Sequence, residues 1–203
     1  MALALQLEPI VKNGTRILRP QEFAPILSAS GRIPGWQGSG LWGPTFLVTL
    51  LMTGMRYVEG QRLQWHGSEW YKGGPFLHLP KEAVGKVRRT QVDRWVRLTP
   101  MGCKVVKKFI GCPVALPSWW AWGDALKRWA NESGIDPSAL GPKTMRKTWE
   151  SWLIFYYRDK PNSWPIIAQS QGHTGKTSMD HYLNAPFVES ERLMMEPWVR
   201  GYL

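Results

Sequence analysis

Residues 169–183 read QSQGHTGKTSMDHYL. Two chemistries compete for this stretch. The GKT at 175–177 is the tail of a phosphate-binding loop. The Gly-His at 172–173 is followed nine residues later by Tyr182. A phosphate-binding loop needs the pattern G-x-x-x-x-G-K-[ST] between a buried strand and a helix. Counting back from Gly175, the first glycine falls on Ser170, and the upstream segment SWPIIAQSQ carries Pro165 and polar residues. The loop reading is therefore rejected, and the meaning of His173 and Tyr182 depends on the rest of the chain.

A chain of 203 residues is long enough for one domain with a substantial core. A hydrophobic content of 43% excludes a disordered chain. The longest apolar run, FLVTLLM at 46–52, is too short to span a membrane. The N-terminus MALALQLEPI lacks the basic segment and long apolar region of a signal peptide, so a cytoplasmic location is expected. Cys103 and Cys112 are separated by eight residues, which is neither a zinc pattern nor a disulfide framework. No metal is expected.

The formal net charge is +11 and favours a polyanionic partner. It is concentrated. From Lys81 to Lys108 nine Lys/Arg face only Glu82 and Asp93, a net of +7 in 28 residues. Within it Lys81, Arg88 and Arg89 are candidate DNA contacts, as is Lys176 further on.

The segment 18–29 reads as a helix beginning near Pro20, which suits a first helical turn. Residues 31–44 are rich in Gly and Pro and read as loop. A buried helix follows over 45–52, punctuated by Gly54, and helical spacing resumes over 56–65. FLHLP (76–80) and RWVRLT (94–99) alternate as half-buried strands joined by the basic segment. Helices are expected over 102–110, 118–133 and 142–157, with a short one at 177–183 and an amphipathic one opening the tail 188–203. Most of the thirteen tryptophans should be core, Trp149 and Trp152 among them. The WWAW run at 119–122 is a candidate stacking surface for DNA bases.

Five short motifs line up in order. TGMRYVE (53–59) places Arg56 just past a tight turn, with Glu59 three residues on and on one helical face. The basic hairpin carries Lys86, with Lys81 as the competing lysine. KTMR (143–146) places Lys143 and Arg146 at i, i+3. GHTG carries His173, and DHY carries Tyr182.

This order, T-G-x-R-x-x-E, hairpin Lys, [HK]-x-x-R, G-H, then Tyr, resembles the catalytic domain of the tyrosine recombinases, or phage-type integrases. The resemblance spans about residues 18–187. Lys143 stands where the family usually has His, which resembles integrases of archaeal viruses and proviruses. The Arg146–His173 interval is a few residues longer than the family pattern, the excess taken up by YRDKPNSW (157–164). The resemblance implies a mainly α fold with a small antiparallel β-sheet. It divides the chain into a short arm (1–17), a catalytic domain (18–187) and a tail helix (188–203) that the family exchanges between subunits.

It also implies site-specific DNA cleavage and rejoining through a 3′-phosphotyrosine, serving integration and excision of viral or proviral DNA. Arg56 and Arg146 would grip the non-bridging phosphate oxygens in forked geometry, supported by Glu59. Tyr182 would be the nucleophile, and Lys86 the acid for the departing 5′-oxygen. His173 would donate to the phosphate. Lys143 would donate likewise, or accept the tyrosine proton. Neither ATP nor metal is needed, because the phosphotyrosine conserves the bond energy. The implied partners are double-stranded DNA attachment sites, bound by a tetramer at synapsis and by a monomer or weak oligomer otherwise, with no membrane. Only about 17 residues precede the first helix, too few for the family's core-binding domain, so weak, salt-sensitive DNA binding is expected. A type IB topoisomerase-like relaxing enzyme and a non-catalytic DNA-binding protein of the same fold are the alternative readings.

Overall fold

The computed structural model describes residues 8–35, 42–84, 92–111, 115–172 and 185–203. Its first element is a hairpin of β1 (Ile10–Lys12) and β2 (Thr15–Ile17), paired Ile10 with Ile17. It lies outside the elements expected above, although Asn13-Gly14 is a strong two-residue turn signal. Both turn residues have positive φ, +48° and +65°, as the tightest hairpin turn requires. Strands of three residues give too little alternation to register in sequence.

Among the described residues, seven helices and a second hairpin follow the first helix. α1 (Pro20–Arg32) starts at the expected proline. α2 (Trp42–Thr53) begins three residues before the expected helix, with Pro44 accommodated in its first turn. α3 (Tyr57–Trp70) precedes β3 (Phe76–Leu79), and β4 (Arg94–Arg97) pairs antiparallel with β3, Leu77 opposite Val96. α4 (Pro100–Ile110), α5 (Trp119–Glu132) and α6 (Thr144–Tyr156) come next. α7 (Ser163–Gln171) is a helix that Pro165 and the polar residues concealed, and α8 (Glu189–Val199) opens the tail. The short helix expected at 177–183 lies outside the described residues. Among the described residues the fold is mainly α with two small antiparallel hairpins.

The centre is α2, apolar all round, against α1, α4 and α6. Phe46 stacks on Phe109 of α4 at 5.4 Å and meets Trp122 of α5 edge-on at 4.8 Å. Trp149 and Trp152 are fully buried on α6, as expected. In the WWAW run, Trp122 is core whereas Trp119 and Trp120 are exposed.

Three helix starts share one device. A glutamate at the third helical position turns back to accept the N–H at the helix's entry, and also pairs with a buried arginine. Glu22 accepts from Arg19 N at 2.8 Å and pairs with Arg16 at 2.5 Å. Glu191 accepts from Val188 N and pairs with Arg19, both at 2.8 Å. Glu59 is the third case. The Arg19–Glu191 pair ties α8 to the start of α1, and Met195, Val199 and Tyr202 bury in the chain's own core. Leu193 and Met194 point outward.

Candidate active site

Arg56 and Arg146 are brought to one buried carboxylate by three local features. The first is the break between α2 and α3. Gly54 has φ +59°, a left-handed conformation that glycine adopts without steric cost. A Cβ there would come within 2.1 Å of Gln171 Oε1. The turn delivers Arg56 as the residue capping α3.

The second feature is Glu59. Its Oε2 accepts from Arg56 N at 2.7 Å, and its Oε1 accepts from Arg56 Nη1 at 2.8 Å. Glu59 is almost wholly buried, while the Arg56 side chain is 45% exposed. Arg56 is therefore anchored at its root and open at its tip.

The third feature is the end of α7. Arg146 donates Nη1 to the Gly54 carbonyl at 2.6 Å and Nη2 to the Gln171 carbonyl. Arg94, on the inward face of β4, donates to that same Gln171 carbonyl and to Glu59 Oε2. Gly172 then closes the helix at φ +68°, its N–H donating to Ala168 and Gln169 carbonyls. His173 is the next residue in the chain.

The electrostatics are those of Glu59 among three cations, with the buried Glu150 also attracting Arg94. Burial alone would raise the Glu59 carboxyl. Arg94, then Arg146 and Arg56, together with the Arg56 N–H, outweigh burial and hold it below the usual carboxylate range. Burial pushes the Arg94 guanidinium down to about 9 against the pull of Glu59, so it stays charged at neutral pH. The cluster therefore carries net positive charge where an anion would be gripped.

Lys143 precedes α6 as its capping residue and is exposed, one turn before the buried Arg146. Lys81 begins a single 3-10 turn and is exposed. Its N–H donates to Asp93 Oδ1 at 3.0 Å, and Asp93 Oδ2 lies 2.9 Å from His78 Nε2. Asp93 thus pins the root of the basic connection. Lys86, Arg88, Arg89, His173, Lys176 and Tyr182 lie outside the described residues.

Arg94, Gln171 and Gly54 are the site's unexpected members. Arg94 had a signal: it shares strand parity with Val96, which places a charge on the buried face.

The helices packed on α2, with the β3–β4 hairpin beside them, make a mainly helical fold that matches the tyrosine recombinase catalytic-domain fold. No protein-family model matches the chain, and no curated protein matches it. Among solved structures, the fold matches the XerH site-specific recombinase bound to palindromic difH substrate in a post-cleavage complex, with a TM-score of 0.59 at 14% identity. The match covers 84% of this chain and 50% of that one, so this chain spans about half the length of that recombinase.

Proposed function

We propose that this chain is a site-specific DNA recombinase that cleaves and rejoins strands through a 3′-phosphotyrosine. The observation that carries the reading is the meeting of Arg56, held by Glu59, and Arg146, held by the Gly54 and Gln171 carbonyls, in one cluster whose charges act together on Glu59.

In-line attack by the Tyr182 oxygen forms a phosphorus–oxygen bond and breaks the bond to the 5′-oxygen. Charge gathers on the non-bridging oxygens as the phosphorus becomes five-coordinate. Arg56 and Arg146 are fixed cations that strengthen their hold as that charge grows. Lys86 supplies the proton for the departing oxygen, and His173 donates to the phosphate. Lys143 donates too, or takes the tyrosine proton. The phenol's ordinary value near 10 requires the cationic surroundings to favour phenolate. Attack by the freed 5′-hydroxyl on the phosphotyrosine restores the DNA strand without ATP or metal.

The substrate class is double-stranded DNA attachment sites, paired by a tetramer. The biological setting is viral or proviral integration and excision in a host cell, which the lysine at 143 favours through its resemblance to archaeal viral integrases. The tail α8 is the candidate for exchange between subunits, through Leu193 and Met194.

The test is incubation with nicked suicide duplexes followed by denaturing electrophoresis. Wild type should give a covalent protein–DNA adduct, and Tyr182→Phe should give none while retaining DNA binding. An adduct with the Phe variant would require another nucleophile. Absence of an adduct with wild type across a library of duplexes would reduce the chain to a DNA-binding protein of this fold. Relaxation of supercoils without exchange between two sites would assign it instead to the topoisomerase reading.

A further inference from the structure

We infer that Arg94 is a positioning residue that keeps Arg56 available for phosphate and fixes the Gln171–Gly172 end of α7; the role in cleavage rests on the phosphotyrosine reading above.

The position itself needs explaining. The inward faces of β3 and β4 carry Leu77, Leu79 and Val96, all buried in the core. Packing alone calls for an aliphatic residue at 94. A guanidinium there has lost most of its hydration, a cost repaid only by well-placed partners. Arg94 hydrogen-bonds to two groups, and both belong to the site: Glu59 and the Gln171 carbonyl.

The first partner controls Arg56. A carboxylate and a guanidinium left to themselves form two parallel hydrogen bonds. Here Glu59 offers Arg56 only Oε1, at 2.8 Å. Its Oε2 already accepts from the Arg56 backbone N–H at 2.7 Å and from Arg94 Nη2. Arg94 thereby holds the Arg56 guanidinium to a single-point contact. Without Arg94, Oε2 opens to the Arg56 fork, and the guanidinium closes onto Glu59 instead of onto phosphate. The net charge of the cluster also falls by one.

The second partner fixes the end of α7. The Gln171 carbonyl accepts from both Arg94 and Arg146, so two guanidiniums from different elements clamp one peptide group. The next residue, Gly172, lies against Arg94: a Cβ there would meet Arg94 Cδ at 2.9 Å. Moving Arg94 therefore moves the Gln171–Gly172 backbone that ends α7.

Two measurements on Arg94→Gln test this. The first is labelling of Arg56 by phenylglyoxal, followed by peptide mass spectrometry. It needs no activity. Arg56 should label in wild type and label several-fold more slowly in Arg94→Gln, because its fork is then occupied by Glu59. Unchanged or faster labelling overturns the inference. The second is single-turnover cleavage of a suicide duplex. Arg94→Gln should slow cleavage by about tenfold or more with DNA affinity changed by less than about twofold, the pattern of a lost transition-state interaction. The further loss on adding Arg94→Gln to Arg56→Ala should be much smaller. An equal loss in both backgrounds shows that Arg94 does not act through Arg56 and overturns that positioning role. Arg94→Lys keeps the buried charge but not the fork, and carries both comparisons where Arg94→Gln does not fold. If wild type forms no adduct, the cleavage reading fails, while the labelling result still decides what Arg94 does to Arg56.

Discussion

Arg146 Nη1, on α6, lies 2.6 Å from the carbonyl oxygen of Gly54, the residue that separates α2 from α3. One hydrogen bond thus joins the turn that presents Arg56 to the helix that presents Arg146. The turn depends on glycine twice, through its φ of +59° and through Gln171 Oε1 filling the place of a Cβ. Gly54→Ala should therefore destabilise the fold by about 1–3 kcal/mol from backbone strain alone, with more from the displaced Gln171. Urea denaturation measures it. A midpoint equal to wild type would mean that the turn has another accessible conformation.

Arg56 and Arg146 should separate when stability and cleavage are measured side by side. Arg56 is 45% exposed, and its ion pair with Glu59 is partly screened by solvent. Arg56→Ala should cost less than about 1 kcal/mol of stability yet slow cleavage by about 10²–10³-fold. Arg146 is buried and satisfies two buried carbonyls. Arg146→Ala should slow cleavage similarly and also cost about 1–3 kcal/mol for the Gly54 carbonyl left short, while the Gln171 carbonyl keeps Arg94. Equal stability losses in the two variants would contradict this division of labour.

The parts of this site that were legible in the sequence are those with local spacing. Arg56 with Glu59 and Lys143 with Arg146 each sit three residues apart, a separation that helical geometry makes meaningful. The strands at 76–79 and 94–97 showed by alternation. Arg94 stayed hidden because its partners lie 35 and 77 residues away, a distance over which sequence pattern carries no geometry. α7 stayed hidden because Pro165 reads as a breaker, whereas in the first helical turn its missing N–H has no partner to lose. The hydrophobic pattern was sufficient for the mainly α class, since α2 is too uniformly apolar to be anything but central.

Glu59 makes the fold acid-sensitive in a stated direction. Its folded pKa is depressed by three arginines, so in the acid range the unfolded chain binds the proton more readily. The stabilisation it contributes is fully present above its unfolded value of about 4.3. It is lost as pH falls through the lower folded value. Glu59→Gln should cost about 3–5 kcal/mol at pH 7, as when a buried ion pair loses one partner. The difference from wild type should shrink below about pH 4. Urea midpoints of both proteins from pH 3 to 7 give the comparison. A difference constant across that range would show that Glu59 acts as a hydrogen-bond acceptor with no charge contribution.

DNA affinity should fall steeply with salt, and the structure narrows which cations are responsible. Of the nine Lys/Arg between 81 and 108, Arg94 is buried and engaged by Glu59 and the Gln171 carbonyl, which removes it from phosphate contact. Lys104, Lys107 and Lys108 are exposed on α4. Each cation that neutralises a phosphate contributes a slope of about −0.9 on logarithmic axes. Replacing all three α4 lysines by alanine should weaken binding and flatten the slope by about 0.9 for every phosphate no longer neutralised. Added to Arg56→Ala, which removes the effect of Arg94 on Arg56, Arg94→Gln should leave the slope unchanged. Fluorescence anisotropy with one duplex from 50 to about 200 mM salt measures both. If the triple variant keeps the wild-type slope, α4 does not touch DNA, and phosphate is held instead by the connection beginning at Lys81. If Arg94→Gln flattens the slope further in the Arg56→Ala background, Arg94 is reaching phosphate after all, and its burial between Glu59 and Gln171 is not the state that binds DNA.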